Sequence, residues 1–230
     1  MKHTVFLQES LKTWYQPLEN ILLSDVFLKP FLKYMQNDEL KPTKDKIFRA
    51  FSLCEYQKLK IVILGQDPYF STHNGQNTAN GLAFSVDNGM KIPPSLKNIL
   101  KNLEFNFGFI PTKTDFSDVA KQGVLFLNTS LCVHKKALDC KDYGFLEFSD
   151  EIIKHIDENF SDVVFLLWGN YAKEKTKLIK NNRYLTSSHP SPLSANKKNE
   201  DNFLLQKHFL EANDILKLNS KTPIDWSVLA

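Results

Sequence analysis

The stretch Ile61-Val62-Ile63-Leu64-Gly65-Gln66-Asp67-Pro68-Tyr69 decides the fold, because an unbroken apolar run leads directly into an amide, a carboxylate and a phenol. A run of β-branched residues and leucine without polar alternation is typical of a parallel strand buried on both faces. The polar residues then follow its carboxyl end, where open α/β sheets bind ligands. The stretch therefore predicts a site at Gln66, Asp67 and Tyr69. The plainer alternative is that Asp67 caps a turn and Tyr69 packs in the core.

Three more apolar runs, at 124–127, 163–168 and 184–186, also end at polar residues. These are Asn128-Thr129, Gly169-Asn170 and Ser187-Ser188-His189-Pro190. Segments with helical spacing alternate with the runs, at 95–107, 146–160, 171–180 and 202–218. The alternation predicts an α/β fold with a central four-stranded, mostly parallel sheet flanked by helices on both faces. Residues 1–40 also have helical spacing, and we expect one or two helices packed on this sheet.

The composition predicts one domain over residues 1–230. The chain is 42% hydrophobic and 24% charged, which is enough apolar material for a full core and gives no bias toward disorder. We expect no signal peptide and no membrane span, since charges are spread through residues 1–40 and no apolar stretch is long enough. The cysteines, Cys54, Cys132 and Cys140, are odd in number and lack metal-ligand spacing. They indicate free thiols in a reducing compartment, without zinc or an iron-sulfur cluster.

The positive charge comes almost entirely from lysine. The chain has 29 basic and 26 acidic residues, and its only arginines are Arg49 and Arg183. Lysine lacks the planar fork that reads guanine edges, so the composition argues against base-sequence recognition in the major groove. Lys135-Lys136, Lys197-Lys198 and the lysines of 173–180 remain open between phosphate attraction and an ordinary solvated surface.

The chain resembles the classical, family 1 uracil-DNA glycosylases in an ordered set of motifs from about residue 42 to the C-terminus. The motifs are Gly65-Gln66-Asp67-Pro68-Tyr69, Gly81-Leu82-Ala83-Phe84-Ser85-Val86, Pro93-Pro94-Ser95-Leu96, Leu127-Asn128-Thr129, Leu166-Leu167-Trp168-Gly169, His189-Pro190-Ser191-Pro192-Leu193-Ser194-Ala195 and the ending Thr222-Pro223-Ile224-Asp225-Trp226. The resemblance implies an enzyme that flips uracil out of DNA and hydrolyses its N-glycosidic bond, which releases uracil and leaves an abasic site.

The resemblance implies that two apolar side chains stabilise the flipped-out state of the DNA. Phe84 becomes the ring on which uracil stacks, although its spacing alone indicates an ordinary core aromatic. Leu193 becomes an apolar wedge that enters the base stack, which suits an isolated leucine in a serine and proline loop.

The family positions also imply how uracil is discriminated. The amide of Asn128 supplies a donor to uracil O4 and an acceptor for N3–H, whereas cytosine presents the reverse pattern and would leave buried groups unpaired. Tyr69 places a rigid ring against C5, where it excludes the methyl group of thymine.

Cleavage leaves positive charge on the sugar and negative charge on the uracil ring. The resemblance implies that Asp67 stabilises the sugar cation and orients the attacking water, while His189 donates a hydrogen bond to uracil O2. The backbone amide of Gln66 is a further candidate donor. A histidine beside a proline is otherwise more often a turn residue. We expect no metal and no other cofactor, because hydrogen bonds stabilise the leaving group.

Short loops are expected to hold the DNA phosphates without reading sequence. The implied DNA-binding residues are Pro94, Ser95, Gly169, Asn170, Ser191, Pro192, Leu193 and Ser194. The expected partner is uracil-containing DNA, single- or double-stranded, with little sequence preference. Inhibitor proteins that mimic uracil or DNA are further possible partners. We expect a monomer that binds no membrane and lies in the cytoplasm, or in the nuclear or host-cell compartment of a eukaryotic or viral system.

The sequence departs from the family pattern away from Asp67, Asn128 and His189. Phe70 replaces the usual histidine, the loop 71–80 is longer, and Asn170 replaces serine. Further departures are Asp139-Cys140, Phe145 and the tract after Ala195. They put the details of DNA contact and rate in question.

Two other classes of function stay open at this point. One is a non-catalytic or weakly catalytic DNA-binding, replication-accessory protein on the same fold, which the full polar set disfavours. The other is an unrelated α/β enzyme acting on small nucleosides, which the Leu193 wedge with its serine-rich loop disfavours. No dinucleotide fingerprint or phosphate-binding P-loop is present in the sequence.

Overall fold

A parallel sheet forms the centre of the computed structural model, which describes residues 2–136 and 145–230. In chain order the strands are β1 (Ile61–Gly65), β2 (Thr72–His73), β3 (Gln76–Asn77), β4 (Val124–Asn128), β5 (Val164–Trp168) and β6 (Arg183–Ser187). The central sheet has the order β4-β1-β5-β6, and all three pairings are parallel. Every residue of β1, β4 and β5 is buried, as their unbroken apolar runs predict. The predicted four-stranded sheet is confirmed.

Helices cover this sheet. They are α1 (Lys2–Leu11), α2 (Glu19–Leu22), α3 (Asp25–Met35), α4 (Arg49–Leu53), α5 (Pro94–Phe107), α6 (Ser117–Ala120), α7 (Phe145–Asn159), α8 (Asn170–Lys173) and α9 (His208–Leu218), with 3-10 turns at Lys12–Trp14, Tyr56–Lys58, Glu174–Leu178, Phe203–Leu205 and Trp226–Leu229. None of the helices among the described residues has the length and apolarity to cross a bilayer.

The two faces of the sheet carry different helices because side chains alternate along each strand. Phe126 of β4 contributes to an apolar cluster with Ile99 of α5 and Phe209 of α9. Leu127, the next residue, belongs to a cluster with Phe51 of α4. The sheet is therefore flanked by helices on both faces, as predicted.

The N-terminal segment contains three α-helices where the periodicity predicts one or two. The chain turns after α1, where Lys12 has a φ of 51°, and again at Ser24, whose hydroxyl donates to the Ile21 carbonyl at 2.6 Å. The regularly spaced apolar residues of this segment are nevertheless buried, at Leu7, Leu11, Trp14, Leu18 and Leu22.

Two helices near the site are shorter than their spacing predicts. The 171–180 segment is α8 followed by a 3-10 turn, because the Asp157 carboxylate accepts the N–H groups of Lys180, Asn181 and Asn182 and directs the chain into β6. In the 202–218 segment, helix α9 begins only at His208. The side chain of Asn102 on α5 donates to carbonyls of residues 203, 204 and 206 and holds that stretch outside the helix.

The long loop at 71–80 folds as a small hairpin of β2 and β3. Asn74 and Gly75 form its turn with φ values of 51° and 75°, the backbone that a two-residue Asn-Gly hairpin turn adopts. The hydroxyl of Ser71 donates to that of Thr78 at 3.0 Å and closes its base. The sequence analysis did not identify this hairpin, although the Asn-Gly pair is its signal.

Candidate active site

A cavity of about 410 Å³ opens at the carboxyl ends of the central strands. It is lined by all six residues that the sequence analysis assigned to catalysis or base recognition: Gln66, Asp67, Tyr69, Phe84, Asn128 and His189. Three of the predicted DNA-binding residues, Ser95, Ser191 and Ser194, also line it. Parallel strands deliver their ends to one edge, so residues far apart in sequence meet there.

The turn after β1 brings Gln66 and Asp67 to the cavity. The Gln66 side-chain amide donates to Asp67 Oδ2 at 2.6 Å. A donor bonded to a carboxylate fixes its orientation. The arrangement presents a held negative charge at the cavity wall.

Asn128, the last residue of β4, lies opposite Gly65 of β1 in the parallel register. A Cβ atom at position 65 would approach Asn128 Oδ1 to 2.2 Å, well inside contact distance. Gly65 is therefore needed so that the Asn128 amide can lie across the end of β1. Asn128 is 7% exposed. Its buried side-chain amide offers one donor and one acceptor to a ligand that can hydrogen-bond to both.

Two aromatic rings of the cavity are tied to each other. The Tyr69 hydroxyl donates to the Phe84 carbonyl at 3.3 Å, and burial raises the pKa of Tyr69, so the phenol stays neutral. Phe84 has a φ of 63°, a left-handed conformation that is uncommon for a bulky residue. Such backbone strain of about 1–3 kcal/mol persists only where surrounding contacts impose it, and it occurs often at functional sites.

The contacts that force the left-handed backbone at Phe84 come from a buried polar network in the loop that carries this residue. The Asn80 side chain accepts from Leu82 N at 3.2 Å and donates to Ser85 Oγ at 3.0 Å. Ser85 Oγ in turn donates to the Thr114 carbonyl and accepts from Phe116 N. The sequence analysis missed Asn80, for which the Asn-Gly pair at 80–81 is a turn signal.

His189 follows β6 and is partly buried, which lowers the pKa of its imidazole. The Ser191 backbone N–H donates to His189 Nδ1 at 3.0 Å. Because Nδ1 must offer a lone pair to this donor, the proton of the neutral ring is on Nε2. Gly169 permits the close approach of β5, since a Cβ there would lie 2.8 Å from His189 Cβ.

A second layer of aromatic residues supports Phe84. The Trp168 ring lies 5.6 Å from the Phe84 ring between centroids, and its indole N–H donates to His208 Nδ1 at 3.1 Å. Burial lowers the pKa of His208 to about 4, so the residue is neutral and able to accept. Sequence reasoning did not single out His208, which lies on α9, far from the site motifs.

The remaining predicted DNA-binding residues surround the cavity mouth. Gly169 and Asn170 line an adjoining cleft of about 410 Å³ that shares Gln66, His189 and Ser194 with the first cavity. Pro94, Pro192 and Leu193 line neither space, but all three are exposed and adjoin Ser95, Ser191 or Ser194 in sequence. Leu193 is 98% exposed, the highest value among the large apolar side chains that are exposed in the described part of the chain.

The positions that depart from the family pattern differ in their surroundings, and two of them, Phe70 and Asn170, line the two spaces of the site. Phe70 is 46% exposed and its carbonyl accepts from Lys41 Nζ at 2.5 Å. The tract after Ala195 is tied back by Asp201, whose backbone carbonyl accepts from Ser188 N at 2.8 Å. Phe145 is buried, with its ring 6.0 Å from that of Tyr34. Asp139 and Cys140 lie outside the described residues.

Within residues 2–136 and 145–230, no group of three or more His, Cys, Asp or Glu side chains is arranged to hold a metal ion. Cys54 and Cys132 are buried.

Comparisons with known proteins agree on one family. The model of the uracil DNA glycosylase superfamily matches residues 51–217. A Campylobacter fetus protein named uracil-DNA glycosylase is 42% identical over 223 residues, covering 94% of this chain and 92% of that protein. One from Francisella tularensis subsp. novicida with the same name is 47% identical over 196 residues, covering 82% of this chain and 84% of that protein.

Solved structures agree as well. The crystal structure of mimivirus uracil-DNA glycosylase superposes with a TM-score of 0.84 at 26% identity, covering 93% of this chain and 86% of that one. A variant of mimivirus UNG solved in complex with UGI gives a TM-score of 0.85 at 26% identity, covering 94% of this chain and 88% of that one.

Proposed function

The chain belongs to the uracil DNA glycosylase superfamily, and from this membership we propose that it is a classical, family 1 uracil-DNA glycosylase. It is a DNA repair glycosylase, which flips uracil out of DNA, hydrolyses the N-glycosidic bond and leaves an abasic site. The observation that carries the finer assignment is the convergence of Asp67, Asn128 and His189 on one cavity together with Tyr69 and Phe84.

Uracil is held in this proposal between a ring and an amide. Phe84 stacks on the base, which contributes about 1–3 kcal/mol in comparable sites. The Asn128 amide donates to O4 and accepts from N3–H, so cytosine would leave both groups unpaired in a buried place. The Tyr69 ring stands against C5 and excludes thymine. The hydrogen bond from Tyr69 to the Phe84 carbonyl supports this role, because it keeps the excluding ring from moving away.

Cleavage of the glycosidic bond leaves positive charge on the sugar and negative charge on uracil. The site offers one side chain to stabilise each of these charges. The Asp67 carboxylate, held by the Gln66 amide, stabilises the positive sugar and orients the attacking water. His189 donates its Nε2–H to O2 of the departing uracil anion, and the Gln66 backbone N–H donates to the same oxygen. The Ser191 N–H on Nδ1 supports this role, because it fixes the tautomer that can donate.

The exposed residues around the cavity mouth contact the DNA. Leu193 enters the base stack in place of the flipped nucleotide. The predicted phosphate contacts come from Pro94, Ser95, Gly169 and Asn170, together with Ser191, Pro192 and Ser194, and none of these reads bases. We therefore expect activity on single and double strands with little sequence preference, and affinity that falls steeply with salt.

Further partners follow from the same surface. A mimivirus UNG variant has been solved in complex with UGI, which supports an inhibitor protein as a partner of this chain too. We propose that the chain acts as a single-domain monomer in the cytoplasm. The buried free thiol of Cys54 suits a reducing compartment.

The test is release of free uracil from an oligonucleotide that carries one labelled deoxyuridine, with a chelator present throughout. The unmodified chain should release uracil from both strand forms. Asp67→Asn should bind the same DNA but show a much lower single-turnover rate. If the unmodified chain binds the DNA without releasing uracil, the enzyme assignment is wrong and a DNA-binding role replaces it. If Asp67→Asn cleaves at the unmodified rate, the role given to Asp67 is wrong.

A further inference from the structure

One arginine side chain joins the two ends of the loop that carries Phe84. This segment, residues 80–87, is the Phe84 loop, and Arg49 is the first residue of α4. Arg49 Nη1 donates to the Asn80 carbonyl at 3.0 Å and to Asp87 Oδ1 at 3.3 Å. Asn80 begins the loop and Asp87 ends it. A single guanidinium nitrogen therefore ties both ends of the Phe84 loop to one point on α4.

The other terminal nitrogen of Arg49 reaches the segment against which the Phe84 loop lies. Arg49 Nη2 donates to Asp115 Oδ2 at 3.1 Å and to Ser117 Oγ at 2.7 Å. The carbonyl of Thr114, the residue before Asp115, accepts from the Val86 N–H at 3.1 Å. The rigid, planar fork of a guanidinium suits such a junction of several chain segments, whereas the ammonium of lysine is a point charge.

The contacts of Arg49 are largely shielded from water. The Arg49 side chain is 22% exposed and that of Asp115 is 20% exposed. Asp87 is more open, but Lys46 Nζ donates to its second carboxylate oxygen at 3.0 Å. Hydrogen bonds between charged groups are stronger than neutral ones, and shielding from water strengthens them further. The Arg49 junction is therefore a firm anchor for the loop.

Phe84 needs an anchor of this kind because its backbone is strained. Its left-handed φ of 63° persists only while the surrounding contacts impose it. The network that imposes it includes the Asn80 side chain, and Arg49 holds the carbonyl of that same residue. Arg49 itself lines neither the cavity nor the adjoining cleft. Any influence of Arg49 on a bound base must therefore pass through the loop.

We propose that Arg49 is a positioning residue, which holds the Phe84 ring in place for stacking on uracil by fixing both ends of the Phe84 loop against the 114–117 segment. The inference rests on the proposed function, because Phe84 is the ring proposed to stack on the base. Arg49 does not contact the base.

The test measures binding of free uracil by calorimetry and single-turnover excision from a single-stranded oligonucleotide. Arg49→Lys keeps the charge but loses the fork. Its dissociation constant for free uracil should rise about 5- to 20-fold, which is part of what stacking on an aromatic ring contributes. The excision rate should fall at least as much, since the flipped base is held less well. Affinity for an oligonucleotide without uracil should stay within about twofold, because phosphate contacts dominate it.

A double variant tests whether Arg49 acts through Phe84. Phe84→Ala alone should slow excision, because the stacking ring is lost. Adding Arg49→Lys to Phe84→Ala should slow excision no further, because the ring that Arg49 positions is already absent.

Asp87→Asn loosens one end of the loop at a side chain that is 43% exposed, so this variant should fold even if Arg49→Lys does not. Its dissociation constant for uracil should rise about two- to fourfold, as expected for weakening one partly exposed charged contact. Asp118→Asn is the matched control. Asp118 is 54% exposed and pairs with Lys121, away from the Phe84 loop, so its uracil affinity should stay unchanged.

Asn182→Ala is the control for loss of stability alone. Asn182 is 8% exposed and its side chain donates to the Phe160 carbonyl at 2.6 Å. It precedes β6, at the edge of the sheet opposite the cavity. This variant should lower the melting temperature and keep the uracil affinity, with binding measured below the melting temperature of every variant.

Several results would overturn the inference. They are unchanged uracil affinity in Arg49→Lys or in Asp87→Asn, an equal loss of affinity in Asn182→Ala, or a double variant whose loss is the product of the two single losses. Failure of the proposed function is a separate outcome, because the unmodified chain itself would then release no uracil from DNA.

Discussion

Replacement of Leu193 by alanine should separate strand opening from bond cleavage. Leu193 is 98% exposed, so its side chain contributes almost nothing to the folded core and the substitution should leave the melting temperature unchanged. In duplex DNA the side chain is proposed to fill the space of the flipped nucleotide. Removal of three carbons at about 0.8 kcal/mol each costs about 2.4 kcal/mol, or about 60-fold in the rate of duplex excision. A single strand leaves no such space, so its rate should change less than about twofold.

The assay is single-turnover excision from matched single- and double-stranded oligonucleotides with one uracil each. Leu218→Ala is the control, since Leu218 ends α9 and is 84% exposed, so it removes the same atoms from a surface away from the cavity. That control should retain both rates. Equal losses on the two substrates in Leu193→Ala, or a clear fall in its melting temperature, would refute the wedge assignment.

The remaining predictions concern the pocket and its support. His189→Ala should slow single-turnover excision about 100- to 1,000-fold while DNA affinity persists, as expected for loss of one preorganised donor, and a smaller effect would argue against that role. Asn128→Asp should gain cytosine excision and Tyr69→Ala should gain thymine excision, each losing activity on uracil, and product analysis on the three oligonucleotides would detect it. Burial lowers the pKa of His208 from 6.5 to about 4, so the unfolded state binds more protons over this interval and folding stability falls as pH decreases through it. The free energy of unfolding should fall by about 2 kcal/mol by about pH 5. Denaturant unfolding should show most of this pH dependence missing in His208→Gln, because glutamine cannot take up the proton.

The parts of the fold that the sequence predicts are those governed by burial alone. The runs at 61–64, 124–127, 163–168 and 184–186 became strands with ends shifted by one residue at most, because strands buried on both faces need unbroken apolar sequence. The convergence of the polar residues that follow them is a consequence of parallel pairing, so the residues proposed for catalysis and base binding could be placed at one edge of the sheet from the sequence.

Features set by contacts between distant residues could not be predicted in this way. The spacing of residues 82, 84 and 86 resembles a strand, but a buried network centred on Asn80 and Ser85 imposes a left-handed backbone at Phe84 instead. The split of the 171–180 segment has the same origin, since the capping carboxylate of Asp157 comes from another helix.

The site divides into a rigid interior and an exposed rim, and this division determines what sequence changes can do. Asp67, Tyr69 and His189 each have a side-chain hydrogen bond to a fixed neighbour inside the protein, so the pocket is organised before DNA arrives. Leu193 and Asn170, by contrast, are exposed. Side chains that take part in bond cleavage must be positioned to within a fraction of an ångström, so they need such internal partners. Side chains that contact the DNA need less exact placement, because the flexible DNA strand can adjust to them. Departures from the family pattern on the rim, such as Asn170, should therefore change DNA affinity and its salt dependence while they leave the cleavage step intact.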